Sequence, residues 1–138
     1  MLTEAQKKIV RQTYVHVARR EYSAGEMFYE RLFAIAPQLQ GMFPNDMTQM
    51  RLKFIQTVGS YVKALEIGEN YNRVIEKLGQ RHVGYGVKPE HFDLFRQAFL
   101  WAIRQTLDEH YSLEVEEAWS ALYDTMALIA IGGAREGR

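Results

Sequence analysis

Apolar residues recur at intervals of three and four along most of the chain, which is the spacing of one face of an α-helix. The first such segment lies near residues 3–20, where Thr3 and Gln6 have the form of a capping box. A second segment covers residues 22–35 and is closed by Pro37. The pattern therefore predicts two consecutive helices at the start of the chain.

The interior of the second helix contains Gly25, at a cost of about 1 kcal/mol relative to alanine, so we expect another backbone to cross it closely. Residues 37–47 hold two prolines, a glycine and an Asn-Asp pair around Phe43, and this composition predicts a corner with short helical turns. From Met47 onward a new apolar stripe predicts a third helix ending near Gly68.

The second half of the chain repeats the helical spacing. A stripe that begins at Tyr71 places His82 in phase with its apolar face. After Pro89 a long helix is predicted to about His110, and Ser112 can cap a last one. No strand-like alternation of useful length occurs in the sequence, so it predicts an all-α fold of about six to seven helices.

Composition narrows the class of protein. The chain has 138 residues, 47% of them apolar, which fits one globular domain over residues 1–138. Lys plus Arg and Asp plus Glu number 17 each, so the net charge argues against nucleic acid as a partner. There is no cysteine, and no apolar run reaches the roughly 20 residues of a membrane span. We expect a cytoplasmic protein, as a monomer or weak dimer.

The histidines point to one kind of metal chemistry. The four of them show no i,i+3 or i,i+4 pairing that would build a zinc site on one helix. A single in-phase histidine, His82, facing helices rich in aromatic residues suits a flat apolar cofactor with one axial bond.

The order of several motifs supports this interpretation. These are FYERLF at 28–33, Pro37 with Phe43, KFIQTVG at 53–59, LGQRHVGYGVKPEHF at 78–92 and EEAWSALYDTMA at 116–127. Together they resemble bacterial globins, above all the haem domains of flavohaemoglobins and the related single-domain haemoglobins. The resemblance covers nearly the whole chain. It implies a globin fold around haem b and a protein that reversibly binds dioxygen, carbon monoxide and nitric oxide.

The resemblance also assigns roles to individual residues. His82 matches the proximal ligand of the iron, Phe43 the aromatic against the haem face, and Tyr29 the distal tyrosine. The Tyr29 hydroxyl would donate to dioxygen, which becomes negatively charged on the iron, for about 1.5–3 kcal/mol. The cofactor contacts that it implies are Phe43, Met50, Lys53, Phe54, Val58, Leu78, Tyr85, Val87, Phe92 and Phe95.

The distal helix leaves two residues open for the position nearest the gas, Gln49 and Met50. The stripe that continues through Phe54 favours Met50, because Gln49 is in phase with more polar residues. Lys53 is expected either to reach a haem propionate or to remain in solvent.

Two departures from the flavohaemoglobin pattern bear on function. One is that Met50 replaces the family's usual distal glutamine, which leaves Tyr29 as the main polar contact. The family's proximal tyrosine and glutamate match Phe92 and Ala134, whose side chains cannot hydrogen-bond. His82 would then give its ring proton to a main-chain carbonyl, for which Leu78 is a candidate. The 138 residues include no flavin or nicotinamide domain, so we expect that nitric oxide dioxygenation by this domain would need an external reductase. A gas sensor cut from a longer chain is the third interpretation, to which the final GGAREGR is suited.

Overall fold

In a computed structural model the chain is described over residues 2–67 and 91–136, with side chains described to residue 65 in the first range and to residue 127 in the second. These residues form five α-helices and two 3-10 helices. The α-helices are α1 (Glu4–Ala18), α2 (Glu21–Ile35), α3 (Thr48–Ile67), α4 (Phe92–Leu107) and α5 (Leu113–Glu136), and the 3-10 helices are Pro37–Met42 and Asp108–His110. The prediction of an all-α fold is confirmed.

Polar side chains fix the starts of the first and last of these α-helices. Thr3 accepts a hydrogen bond from the Gln6 amide over 3.0 Å and Gln6 accepts one from the Thr3 amide, so the predicted capping box is present. Ser112 accepts from the Val115 amide over 3.2 Å at the start of α5. These caps satisfy amides that have no partner within their own helix.

Four helix pairs organise the bundle. Helix α2 packs against α3 and α4, while α1 packs against α5 and α3. Trp119 of α5 is fully buried, and its indole N–H donates to the Thr13 hydroxyl of α1 over 2.9 Å. The indole therefore buries a large apolar surface without leaving its donor unsatisfied.

The predicted close crossing at Gly25 is present. A Cβ built on Gly25 of α2 would overlap the main-chain carbonyl oxygen of Arg51 in α3, with the carbonyl carbon at 2.8 Å. The two helices thus touch backbone to backbone, which only glycine allows. This contact sets the spacing between α2 and α3, the elements that carry Tyr29 and Met50.

Some sequence predictions lie outside the described residues. They are the helical stripe that begins at Tyr71 and leads to His82, and the helix start at Pro89. Within residues 2–67 and 91–136, no helix is both long and apolar enough to cross a membrane.

Candidate functional site

An aromatic cluster lies where α2, the first 3-10 helix and α3 meet. We define it as Phe28, Tyr29, Phe33, Phe43 and Phe54. The Tyr29 ring centroid lies 4.8 Å from that of Phe28, 5.6 Å from Phe43 and 6.3 Å from Phe54. Phe28 and Phe54 stack at 4.3 Å, and Phe33 lies 5.5 Å from Phe43. Edge-to-face and stacked pairs of this kind each stabilise by about 0.5–1.5 kcal/mol beyond burial alone.

Burial within the aromatic cluster is graded. Phe28 and Tyr29 are buried, whereas Phe33, Phe43 and Phe54 are only partly covered. The cluster therefore presents incompletely covered hydrocarbon rings beside one buried phenol. Such a wall fits a broad, flat, apolar group such as a haem, which would cover the ring faces that the chain leaves accessible.

The register at the start of α3 separates the two distal candidates. Gln49 is exposed, while Met50 is partly buried and packs against the core. Further along α3, Val58 is buried and Lys53 is exposed. The structure thus brings Met50, but not the Gln49 or Lys53 side chain, toward the interior.

Helix α4 extends the aromatic wall. Phe95 is buried with its ring centroid 6.5 Å from that of Phe28, and Phe92 is partly buried at 6.1 Å from Phe95. The start of α4 therefore lies beside the aromatic cluster, and the predicted contacts Phe54, Phe92 and Phe95 belong to one continuous group of rings.

Tyr123, which lies within the EEAWSALYDTMA motif but had no role predicted from the sequence, connects this wall to the last helix. The Tyr123 hydroxyl of α5 donates to the main-chain carbonyl of Phe92 over 2.6 Å. Burial raises the pKa of Tyr123, and the neighbouring Tyr61 adds to the rise. Asp124, the residue after Tyr123, accepts a hydrogen bond from the Arg96 Nε of α4 over 2.7 Å. The start of α4 is therefore held to α5 at two adjacent points.

The proximal half of the predicted site lies outside the described residues. His82, Leu78, Tyr85 and Val87 fall in residues 68–90, and the side chain of Ala134 is likewise not described. Their assignments remain predictions from the sequence.

The described residues thus form an all-α bundle in which α2 and α3 cross backbone to backbone beside an aromatic wall. The family model for globins matches residues 26–129. The chain belongs to the globin family, whose members hold haem and bind small gases.

Individual relatives are diverse. The chain is 27% identical to the flavohemoprotein of Rhizobium meliloti over 96% of its own length, but spans only 34% of that protein. It is also 27% identical to an anaerobic nitrite reductase of Gossypium hirsutum, covering 91% of this chain and 86% of the relative. A bacterial globin of Campylobacter jejuni superimposes with a TM-score of 0.83 at 21% identity, covering 97% of each chain, and this likeness concerns the fold alone.

Proposed function

We propose that the protein holds haem b through an iron bond to His82 and reversibly binds dioxygen and other diatomic gases. The observation that carries this proposal is the aromatic cluster around Tyr29 in a chain of the globin family. When bound, haem supplies an iron centre with one coordination position for a gas. The proposal takes residues 1–138 as one globin domain.

In this proposal the aromatic residues, Tyr29 and Lys53 have separate roles. Phe43, Phe54 and Phe95 provide hydrocarbon surface for the ring faces and keep water away from the iron. Tyr29 donates a hydrogen bond to the bound gas from within the cluster, where water does not compete for the hydroxyl. Exposed Lys53 is suited to a propionate at the rim, since its charged end stays in solvent.

The test is reconstitution of the purified protein with haemin, followed by absorption spectra of the ferric, ferrous, dioxygen and carbon monoxide forms. A Soret band that shifts with each gas is expected. His82→Ala should lose it, while His110→Ala, which removes a histidine exposed at the corner before α5, should keep it. Failure of the unaltered chain to take up haem would refute the proposal.

A second candidate is nitric oxide dioxygenation with an external reductase, which the likeness to flavohemoproteins and the buried Tyr29 favour. Phe92 argues for slow turnover, because its side chain cannot polarise the proximal histidine by hydrogen bonding. Rapid nitrate formation from the dioxygen form, repeated over many cycles with an added reductase, would favour this enzyme over a carrier or a sensor.

A further inference from the structure

Met50 lies directly beside a backbone-to-backbone contact between α2 and α3. The next residue, Arg51, is the one whose carbonyl a Cβ at Gly25 would overlap. The Arg51 Nη1 also donates to the Tyr22 hydroxyl over 3.3 Å. Backbone and side chain of Arg51 thus both hold α3 to α2, so the first turn of α3 cannot rotate without breaking this contact.

With the rotation of α3 fixed by this contact, Met50 lies on the same side of α3 as Phe54. The two residues are four apart, which places them one above the other on a helix face. Phe54 stacks on Phe28 at 4.3 Å and lies 6.3 Å from Tyr29. Met50 is partly buried on this side, whereas the preceding Gln49 is exposed. The thioether therefore belongs to the wall that the aromatic cluster forms.

Few atoms in this wall can donate a lone pair to a metal. The four phenylalanines of the cluster have hydrocarbon side chains, so within the cluster and Met50 only the Tyr29 oxygen and the Met50 sulfur can act as donor atoms. A phenol must lose a proton to bind iron as an anion, and its ordinary pKa is about 10. A thioether binds as a neutral soft donor and suits a metal in its lower oxidation state.

We propose that Met50 is an internal ligand of the haem iron, binding through its sulfur when no gas is present and withdrawing when a gas enters. This inference rests on the proposed function. Only the coordinate bond between sulfur and iron forms and breaks, and no electron or proton is transferred. The unbranched side chain of methionine has three rotatable bonds, so the sulfur can leave the iron while the backbone of α3 stays fixed at Gly25.

An internal ligand has a kinetic signature. The gas must wait for Met50 to leave, so the observed rate of carbon monoxide binding levels off at high gas concentration. At low concentration, a sulfur that occupies the iron about nine-tenths of the time slows binding about tenfold, because only the remaining fraction is competent.

The experiment compares haem-loaded wild type, Met50→Leu and Tyr29→Phe in the ferrous, gas-free state. Leucine conserves volume and apolarity at position 50 but lacks a donor atom. Absorption and resonance Raman spectra report the coordination number, and stopped-flow mixing with carbon monoxide gives the rate. Ferric wild type is also measured in the near infrared for the sulfur-to-iron charge-transfer band, a readout that does not depend on how well any variant folds.

We expect six-coordinate low-spin iron in the wild type and in Tyr29→Phe, and five-coordinate iron with about tenfold faster carbon monoxide binding in Met50→Leu. A five-coordinate ferrous wild type that binds carbon monoxide in proportion to its concentration overturns the inference and leaves the proposed function standing. A six-coordinate spectrum that survives in Met50→Leu also overturns it, assigning the bond to another side chain. A wild type that takes up no haem instead refutes the proposed function, and the inference with it.

Discussion

The Tyr123 hydroxyl donates a hydrogen bond of 2.6 Å to the main-chain carbonyl of Phe92, joining the interior of α5 to the first residue of α4. In the sequence, Phe92 lies ten residues after His82. A carbonyl in the first turn of a helix ordinarily accepts from an amide four residues later, so the phenol is an additional partner on its second lone pair. The bond thus positions the start of α4 relative to the last helix.

Tyr123→Phe should lower the free energy of unfolding by about 1–3 kcal/mol, because the ring remains while a buried hydrogen bond is lost. Urea denaturation followed by circular dichroism measures the change. Tyr22→Phe is the matched control, since its hydroxyl is exposed and should contribute less than about 1 kcal/mol. Equal stability of Tyr123→Phe and wild type would show that water replaces the phenol at the Phe92 carbonyl.

Alkaline pH should destabilise the protein through its buried phenols. Burial raises the pKa of Tyr123, and burial also raises that of Tyr111 to about 12. Above about pH 10 the unfolded chain loses phenolic protons that the folded chain retains, so unfolding releases protons and becomes easier as pH rises. The stabilisation is complete below pH 10 and is lost above it, by up to about 1.4 kcal/mol per pH unit for Tyr123.

Denaturant unfolding between pH 8 and 11.5 tests this sign. The slope of stability against pH above 10 should be shallower in Tyr123→Phe than in wild type, and less changed in Tyr111→Phe, because Tyr111 is the more exposed phenol. Stability that stays constant to pH 11.5 in wild type would contradict the expectation.

Gly25→Ala should destabilise the fold by about 1–3 kcal/mol or more, since the new methyl group meets the Arg51 backbone and not a movable side chain. Gly41→Ala is the control, because a Cβ there has nothing within 4 Å. Thermal unfolding of both variants gives the comparison. A Gly25→Ala protein as stable as wild type would mean that α3 shifts away from α2 at little cost, and its gas-binding rates would then report that shift.

Gly25 and Thr3 were predictable from the sequence because each signal is local: a glycine inside a helical pattern, and a hydroxyl three residues before a glutamine. The hydrogen bond of Tyr123 was not predictable, because its acceptor is a main-chain carbonyl 31 residues away. Every residue has such a carbonyl, so the residue types do not indicate the partner. For Met50, periodicity indicated the direction, while the exposure of Gln49 became visible only in the structure. The role of His82 remains a prediction from phase and resemblance.

Asp108 has φ 47° and ψ −109°, a conformation that costs a residue with a Cβ about 1–3 kcal/mol. No glycine precedes α5 in this corner, so residue types alone did not indicate it. Asp108→Gly should therefore stabilise the protein by about 1 kcal/mol, after allowance for the greater freedom of glycine in the unfolded chain. Asp108→Ala removes the charge but keeps the Cβ, and should not stabilise. Chemical denaturation of both variants measures the difference, and a less stable Asp108→Gly variant would point to an essential contact of the carboxylate.

Tyr29→Phe should accelerate the release of dioxygen by at least about tenfold, because a hydrogen bond to a charged group contributes about 1.5–3 kcal/mol and 1.4 kcal/mol is a factor of ten. The ring stays within the aromatic cluster, whose packing distances run from 4.8 Å to Phe28 to 6.3 Å to Phe54, so the fold should be retained.

Displacement of dioxygen by excess carbon monoxide in a stopped-flow instrument gives the release rate. Tyr111→Phe, at the corner between α4 and α5 and outside the aromatic cluster, controls for the loss of a phenol elsewhere in the chain. An unchanged release rate in Tyr29→Phe would mean that the hydroxyl points away from the gas and that Phe54 and Met50 govern release sterically. Faster release in Tyr29→Phe alone, with unaltered denaturation, would assign the effect to the hydroxyl itself, since ring packing and helix position would then be the same in both proteins.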